Sequence, residues 1–195
     1  MRVSTFRKKE GQTVCACPPR KNHGLLKGVK CCTLELNTAK ERKIFMQNSH
    51  IQTLQKNFWE KGMTYASYRQ LMGELLAENK TTGPNQSEAL LAYTRMNEQR
   101  MHRLDKTVQL RADIQAALKQ IHRPMHWLIL TEAWCGDAAQ NLPALAAMAA
   151  RNENIQVRLV LRDENLELMD QFLTDGGRSI PKLIAFDPEN MEVLG

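Results

Sequence analysis

The hydrophobic pattern of this chain changes its period at Pro124. Before the proline, apolar residues recur every three to four positions, which predicts amphipathic helices. After it, short β-rich runs alternate with helical ones, beginning with a run at 126–131 and an Ala- and Leu-rich helix at 138–151. This order implies a mixed sheet, in which crossover helices join parallel strands and a hairpin follows. We therefore expect an α/β fold in this part of the chain.

The remaining elements continue the alternation. Further strands are expected at 155–161, 182–186 and 191–194, and a short helix at 166–173. Gly176-Gly177 is predicted to form a turn. The predicted order is therefore βαβαββ.

Residues 46–121 carry helical spacing instead. A first helix is expected from Ile51, Leu54 and Phe58, with an interruption at Gly62. Thr64 and Ser87 are candidate N-caps of the next two helices. The apolar stripe of the first of these two is Tyr65, Tyr68, Met72 and Leu75, and that of the second is Leu90, Tyr93, Met101, Leu104 and Val108, with Ile114, Leu118 and Ile121 continuing it.

The helix that follows Ser87 also carries four basic residues, namely Arg95, Arg100, Arg103 and Lys106. One interpretation is a solvated face on which Glu98 and Asp105 are the acidic partners. The other is a docking surface for an anionic partner.

The positive net charge of the chain comes from its first 45 residues. Residues 1–45 contain 11 Lys or Arg and three acids, a net charge of +8, whereas the whole chain is +6, so the remainder is −2. We expect residues 1–45 to be a disordered basic tail, a solvated arm rather than a site for nucleic acid or anionic lipid. An alternative is that the natural chain begins at Met46, where the composition changes.

Four of the five cysteines, Cys15, Cys17, Cys31 and Cys32, lie in this tail. Neither pair has the C-x2-4-C spacing that is typical of structural zinc sites, so no metal site is expected. No apolar run reaches the roughly 20 residues that span a bilayer, and no secretory signal is present. We expect a soluble, cytoplasmic protein without a membrane partner. No feature of the sequence indicates an oligomeric state.

The fifth cysteine stands where a predicted strand gives way to a predicted helix. Cys135 follows the strand 126–131 and precedes the helix that starts near Ala138. At a helix N-terminus, unpaired N–H groups and the positive end of the helix dipole both favour thiolate over thiol. Asp137 opposes this effect, because a nearby anion disfavours a second one, but it is also a good N-cap residue.

The segment Trp134-Cys135-Gly136-Asp137-Ala138 resembles the Trp-Cys-Gly-Pro-Cys active site of the thioredoxin family. Pro143 lies eight residues past the cysteine, where thioredoxins have a proline in the active-site helix. The segment 176–183, Gly-Gly-Arg-Ser-Ile-Pro-Lys-Leu, resembles their cis-proline loop. The resemblance covers residues 122–195.

The resemblance implies a thioredoxin-like domain at 122–195, preceded by a helical extension at 46–121 and the tail at 1–45. It implies that Cys135 is the catalytic residue. It also implies that Trp134, Gly136, Asp137, Ile180 and Pro181 contact the substrate, with Trp134 as a lid over the thiol and the backbone of Ile180 pairing with an extended segment.

Three departures from the family pattern affect the expected function. Ala138 replaces the second cysteine, so it cannot release a mixed disulfide. Ile129 stands where thioredoxins have a buried acid, and the nearer Glu132 cannot be assumed to substitute for it. The closing C-terminal helix of the family is lacking after Gly195, so we expect one sheet face to be under-covered unless the helices of 50–121 pack there. The alternative is that the chain is incomplete.

Two functions of different classes remain open. The first is a monothiol thiol–disulfide oxidoreductase that acts on a disulfide-containing protein or small thiol, without a cofactor, and uses glutathione or a tail cysteine to resolve the mixed disulfide. The second is a non-catalytic peptide-binding module in which Cys135 is an inert buried residue. Ligation of a metal or cluster by Cys135 and glutathione is disfavoured by Asp137-Ala138.

Overall fold

A computed structural model describes residues 52–53 and 56–195 of the chain. The described residues lie in one compact unit. The predictions made for the tail and its four cysteines, for Ile51 and for Leu54 fall outside the described residues.

The strands after Pro124 form a three-stranded sheet in the order β2-β1-β3. Strand β1 (Met125–Thr131) pairs in parallel with β2 (Ile155–Leu161), so that Met125 lies opposite Ile155. Strand β3 (Lys182–Phe186) pairs antiparallel with β1 on its other side. The predicted α/β class with a mixed sheet is therefore confirmed.

The predicted strand at 191–194 is present only as an isolated antiparallel bridge between Phe186 and Val193. Met191 has a φ of 58°, in the left-handed region that non-glycine residues seldom adopt. After this residue, Leu194 N donates to Ala185 O and Ala185 N donates to Gly195 O, so the segment pairs with β3 over too few residues to form a fourth strand.

Helices precede the sheet and connect its strands. A helical segment at 56–61 is followed by α1 (Tyr65–Ala77), α2 (Glu88–Thr107), α3 (Ala112–Lys119), α4 (Gly136–Ala149) and α5 (Leu166–Met169). Both predicted N-caps are confirmed, because Thr64 accepts a hydrogen bond from Ser67 N and Ser87 accepts one from Leu90 N. Among the described helices, none has the length and apolar character needed to cross a bilayer.

The long helix predicted after Ser87 is interrupted. Helix α2 ends at Thr107, and Val108 takes an extended ψ of 125° before α3 begins at Ala112. The predicted stripe is therefore divided: Leu118 is buried in α3, whereas Ile114 on the same helix is exposed.

Each face of the sheet packs against its own set of helices. The first face joins β1 and β2 to α1, α2 and α4 in one cluster that includes Tyr68, Met72, Met101, Ile129, Leu142 and Leu159. The opposite face packs against the segment 56–61 and α5 in a second cluster that includes Phe58, Leu128, Leu130, Leu168, Met169 and Phe186. The alternation of neighbouring β1 residues between the two clusters follows from the period of a strand. The helices before the sheet are thus part of its hydrophobic core.

The buried face of α2 includes Met101 of the predicted stripe but not Tyr93. Tyr93, expected in the apolar stripe, is 53% exposed, whereas Thr94, Asn97 and Met101 are buried. Thr94 donates a hydrogen bond to Leu90 O and shares a second one with the Thr81 hydroxyl. Polar residues can face the core here because their hydrogen bonds are made there.

Replacement of Met101 by Ala is expected to lower the free energy of unfolding by about 2–5 kcal/mol, the usual range for a buried Met→Ala change. The residue is 1% exposed and packs in the same cluster as Ile129 and Leu159. Met96 on the same helix is 46% exposed, so the control Met96→Ala should change stability by less than about 0.5 kcal/mol. Urea unfolding measures both; equal losses would contradict a shared core.

An aromatic cluster of Trp59, His126 and Phe186 packs on the sheet face that carries Phe186. The His126 ring stacks on Trp59 at 3.7 Å between centroids, and Phe186 meets both rings edge-on. The Arg158 guanidinium lies over the Trp59 ring, 5.4 Å from its centroid. Burial and the charge of Arg158 lower the pKa of His126, while Asp187 opposes them.

Because the pKa of His126 is lower in the folded chain than in the unfolded one, the unfolded chain binds the proton first. Stability should therefore be highest above the unfolded pKa of about 6.5 and fall as the pH is lowered below it. Substitution His126→Phe keeps an aromatic ring at this position but removes the titratable group. It should therefore reduce the change in the free energy of unfolding between pH 7.5 and 5.5, as measured by urea unfolding. The control His122→Gln, at an exposed position, should leave this pH dependence of stability unchanged. If His126→Phe also left it unchanged, groups other than His126 would be responsible.

Candidate active site at Cys135

Cys135 occupies the N-cap position of α4, and residues 132–134 separate it from the end of β1. Its Sγ accepts a hydrogen bond from Ala138 N at 3.4 Å and lies 3.5 Å from the Ile180 carbonyl oxygen, to which the thiol donates. The predicted cap, Asp137, is instead in the first turn, because the sulfur already takes the N–H group that a cap would bind. The side chain is 9% exposed.

A groove lies beside the sulfur between α4 and the start of β3. It has a volume of about 440 Å³, and among its lining residues are Asp137, Leu145, Ile180 and Pro181. The Ile180–Pro181 peptide bond is cis. The fold thus brings together three of the predicted substrate-binding residues, Asp137, Ile180 and Pro181, in one groove next to Cys135.

Trp134, the residue before the cysteine, is half-buried against the first core cluster. The Arg162 guanidinium lies 5.0 Å over its ring, an arrangement typical of a cation–π contact. Arg162 is itself held by Asp163 at 2.6 Å and donates to Arg178 O. The side chain of Trp134 is therefore positioned by residues that follow β2.

Both peptide groups of Ala133 are held by side chains from the helical region. Ala133 N donates to the Thr82 hydroxyl at 2.8 Å, and Ala133 O accepts from the Asn97 side-chain amide at 2.9 Å. Thr82 and Asn97 are both buried. The loop that carries Cys135 is thus fixed to the segment 82–97, which the sequence identified only as part of a helical extension.

Arg100 of α2 contacts the same loop on the other side of the cysteine. Its Nη1 donates to Gly136 O at 3.3 Å and lies 3.4 Å from the Asn97 amide oxygen. Sequence reasoning named Arg100 as a surface residue and did not consider Asn97. The one signal that could have found them is their spacing with Met101, which puts Asn97 and Met101 on one face and Arg100 at its edge.

The acids of α2 do not pair with the basic residues of their own helix. Arg69 of α1 binds Asp105 at 2.5 Å and Glu98 at 3.1 Å. Tyr65 also donates to Asp105, at 2.6 Å. The prediction that Glu98 and Asp105 neutralise the basic face of α2 is therefore wrong, because both acids bind the neighbouring helix.

Glu132 is a fully buried carboxyl at the end of β1. Its Oε1 accepts a hydrogen bond from Asp163 N at 2.8 Å, and its Oε2 has no hydrogen-bond partner in the part of the chain that the structure describes. Burial raises the pKa of Glu132, and the Asp163 N–H bond opposes the rise. Ile129, at the position where thioredoxins have an acid, is fully buried and apolar.

Ala138, in place of a second cysteine, is fully buried in the first turn of α4. Pro143 lies inside the same helix and is also buried. Within the described ranges, no three His, Cys, Asp or Glu side chains are grouped so that they could hold a metal ion.

Comparison with known proteins gives one family match. A family model described as Thioredoxin matches residues 83–195, more than half of the chain. None of the curated proteins matches it. A protein of unknown function from Pseudomonas aeruginosa has a solved structure that is 21% identical and covers 68% of this chain and 75% of its own, with a TM-score of 0.47. An HIV epitope-scaffold has the same identity and coverage, with a TM-score of 0.46.

The variant Glu132→Gln should have a higher free energy of unfolding than the parent chain, and this gain should be larger at high pH than at low pH. A carboxyl whose pKa is raised by folding gives its full stability below the unfolded pKa, and this is lost as the pH rises through the folded value. Gln keeps the oxygen that accepts from Asp163 N but cannot ionise. The difference in unfolding free energy between Glu132→Gln and the parent should therefore shrink from pH 8 to pH 5. A constant difference, or an equal change in the exposed control Glu164→Gln, would contradict this.

Proposed function

Because the chain belongs to the thioredoxin family, we propose that it is a monothiol thiol–disulfide oxidoreductase with Cys135 as its nucleophile. The observation that carries the proposal is the place of the sulfur at the N-terminus of α4, 3.4 Å from Ala138 N. A thiolate is the attacking species in disulfide exchange, and helix N-terminal N–H groups and the helix dipole stabilise it.

The reaction consists of two exchanges. In the first, the Cys135 thiolate attacks one sulfur of a substrate disulfide; a new S–S bond forms to Cys135, and the other substrate sulfur leaves as a thiolate. In the second, an outside thiolate attacks the substrate sulfur of this mixed disulfide, and Cys135 leaves as a thiolate. Each exchange forms one S–S bond and breaks one. In the net reaction one half of the substrate disulfide is released as a thiolate, and the other half leaves in a disulfide with the outside thiol, from which a second outside thiol can release it.

The surroundings of Cys135 support both forms of the sulfur. The Ala138 N–H group donates to the thiolate, whereas the Ile180 carbonyl oxygen accepts from the thiol. The groove lined by Ile180 and Pro181 provides a place for the chain that carries the substrate disulfide. Trp134, whose ring contacts the Arg162 guanidinium, would cover the Cys135 thiol on the side of β2.

The need for an outside thiol follows from Ala138. Since the described residues include no cysteine besides Cys135, the mixed disulfide needs another sulfur, and a small thiol such as glutathione fits a reducing compartment such as the cytoplasm. The substrate is a disulfide-containing protein or a small disulfide, and no cofactor takes part.

A second candidate is a peptide-binding module without turnover. The low exposure of Cys135 favours it, because a sulfur that is 9% exposed must be reached through a narrow opening. In that case the groove at Pro181 would bind an extended peptide, and Cys135→Ser would keep the affinity.

For the oxidoreductase, Cys135 in the folded chain at pH 7 should be alkylated by iodoacetamide faster than the same cysteine in urea, as measured on its own peptide by mass spectrometry. Cys135→Ser should abolish glutathione-dependent reduction of hydroxyethyl disulfide, because no sulfur remains at the helix N-terminus.

The control variant has Ser at Cys15, Cys17, Cys31 and Cys32 and keeps Cys135. It should retain the activity if the resolving thiol comes from outside, and lose it if a tail cysteine resolves the mixed disulfide. Slower alkylation of Cys135 in the folded chain, together with a peptide affinity that survives Cys135→Ser, would favour the binding module instead.

A further inference from the structure

Resting on the proposed function, we infer that Arg100 and Arg103 of α2 form a subsite for the carboxylate of the small thiol that resolves the mixed disulfide at Cys135. The inference concerns the chemical class of this thiol: an anionic thiol should be preferred over a neutral or cationic one of equal reactivity.

The first step is the charge balance of α2. The two acids that could have neutralised its basic residues, Glu98 and Asp105, are both bound by Arg69 of the neighbouring helix. Arg100 and Arg103 have no acidic partner among the residues that the structure describes. Two positive charges one helical turn apart are thus left without anions.

The second step is the position of Arg100. Its Nη1 is 3.3 Å from the carbonyl oxygen of Gly136, the residue next to Cys135, and this bond holds the half-buried guanidinium beside the active-site loop. A guanidinium has five N–H donors. Its contacts to Gly136 O and the Asn97 amide use Nη1 alone, which leaves the Nε and Nη2 donors to bind both oxygens of a carboxylate.

The third step is the charge on the other side of the sulfur. Asp137 is exposed and lines the groove with Ile180 and Pro181, whereas the surface lined by Met96, Gln99, Arg100 and Arg103 shares no residue with that groove. An anionic thiol in the Pro181 groove would meet the Asp137 carboxylate. On the surface of α2 it would instead meet two cations, so the charges favour an anionic thiol there and not in the groove.

A direct test uses the 195-residue chain with Ser at the four tail cysteines, loaded at Cys135 as the neutral mixed disulfide with 2-mercaptoethanol. After addition of 3-mercaptopropionate, 2-mercaptoethanol or cysteamine, the initial return of free Cys135, which reports attack on the outer sulfur, is followed by mass spectrometry and divided by the rate of each thiol with hydroxyethyl disulfide in solution. The normalised rate should be highest for 3-mercaptopropionate. Arg100→Gln should lower the ratio of the 3-mercaptopropionate rate to the 2-mercaptoethanol rate roughly threefold to fivefold, the effect of one ion pair at a protein surface.

The matched control is Arg95→Gln on the same helix, whose guanidinium binds Asn79 instead of the active-site loop. It should leave all three normalised rates unchanged. The preference should also weaken between 0.05 and 0.5 M salt, because the Debye length falls from roughly 14 to 4 Å. Equal normalised rates for the three thiols, or equal effects of Arg95→Gln and Arg100→Gln, would overturn the subsite while leaving the oxidoreductase intact.

A second measurement does not depend on any exchange. S-methyl 3-mercaptopropionate, a thioether that cannot react, should shift the amide NMR signals of Arg100 and Gly136 in the parent chain and lose this effect in Arg100→Gln. If exchange at Cys135 fails but this binding is seen, the oxidoreductase is wrong and the carboxylate subsite stands. Absence of the shifts in the parent chain overturns the subsite.

Discussion

The two hydrogen bonds to the peptide groups of Ala133 determine where the Cys135 sulfur lies. Thr82 lies 51 residues from Ala133 along the chain, and Asn97 lies 36 residues from it. The Thr82 hydroxyl accepts from Ala133 N and the Asn97 amide donates to Ala133 O, so the residue before Trp134 is bound at both its N–H and its C=O group. Both side chains are buried, so either bond, if broken, leaves a polar group unsatisfied in the core. The loop between β1 and α4 is held from outside the sheet, and the helices before Pro124 are structurally part of the site.

This attachment also determines the electrostatics around Cys135. Asn97 faces the loop, and Arg100, three residues later, therefore lies at its edge and reaches Gly136 O. Arg69 on α1 meanwhile binds the acids of α2 on another side of that helix. One packing arrangement thus has two effects, since it joins α1 to α2 through ion pairs and leaves positive charge beside the cysteine.

The sequence-based predictions succeeded where the signal is local. Strands β2 and β3 have the predicted bounds, and Thr64 and Ser87 cap the predicted helices, because short apolar runs and N-cap side chains act over a few residues. The position of Cys135 between a strand and a helix was predicted for the same reason.

The predictions failed where a distant partner decides the outcome. Tyr93 and Asn97 both fit the helical spacing that leads to Met101, and hydrophobicity alone chooses the tyrosine. The asparagine is buried because the Ala133 carbonyl, far away in sequence, accepts from its amide. Glu98 and Asp105 were assigned to their own helix for a related reason, since sequence spacing does not show that Arg69 competes for both.

Ala138 has a consequence that reaches beyond the loss of one sulfur. A dithiol site can release its substrate without a second binding event, whereas a single cysteine must be approached by two different sulfur partners in turn. Steric access alone does not distinguish the two partners, because both must reach the same atom. In the proposed reaction, the opposite charges of Asp137 and Arg100, which lie on separate surfaces, would provide such a distinction. A site with one cysteine would then depend on α2, the helix whose Glu98 and Asp105 are bound by Arg69.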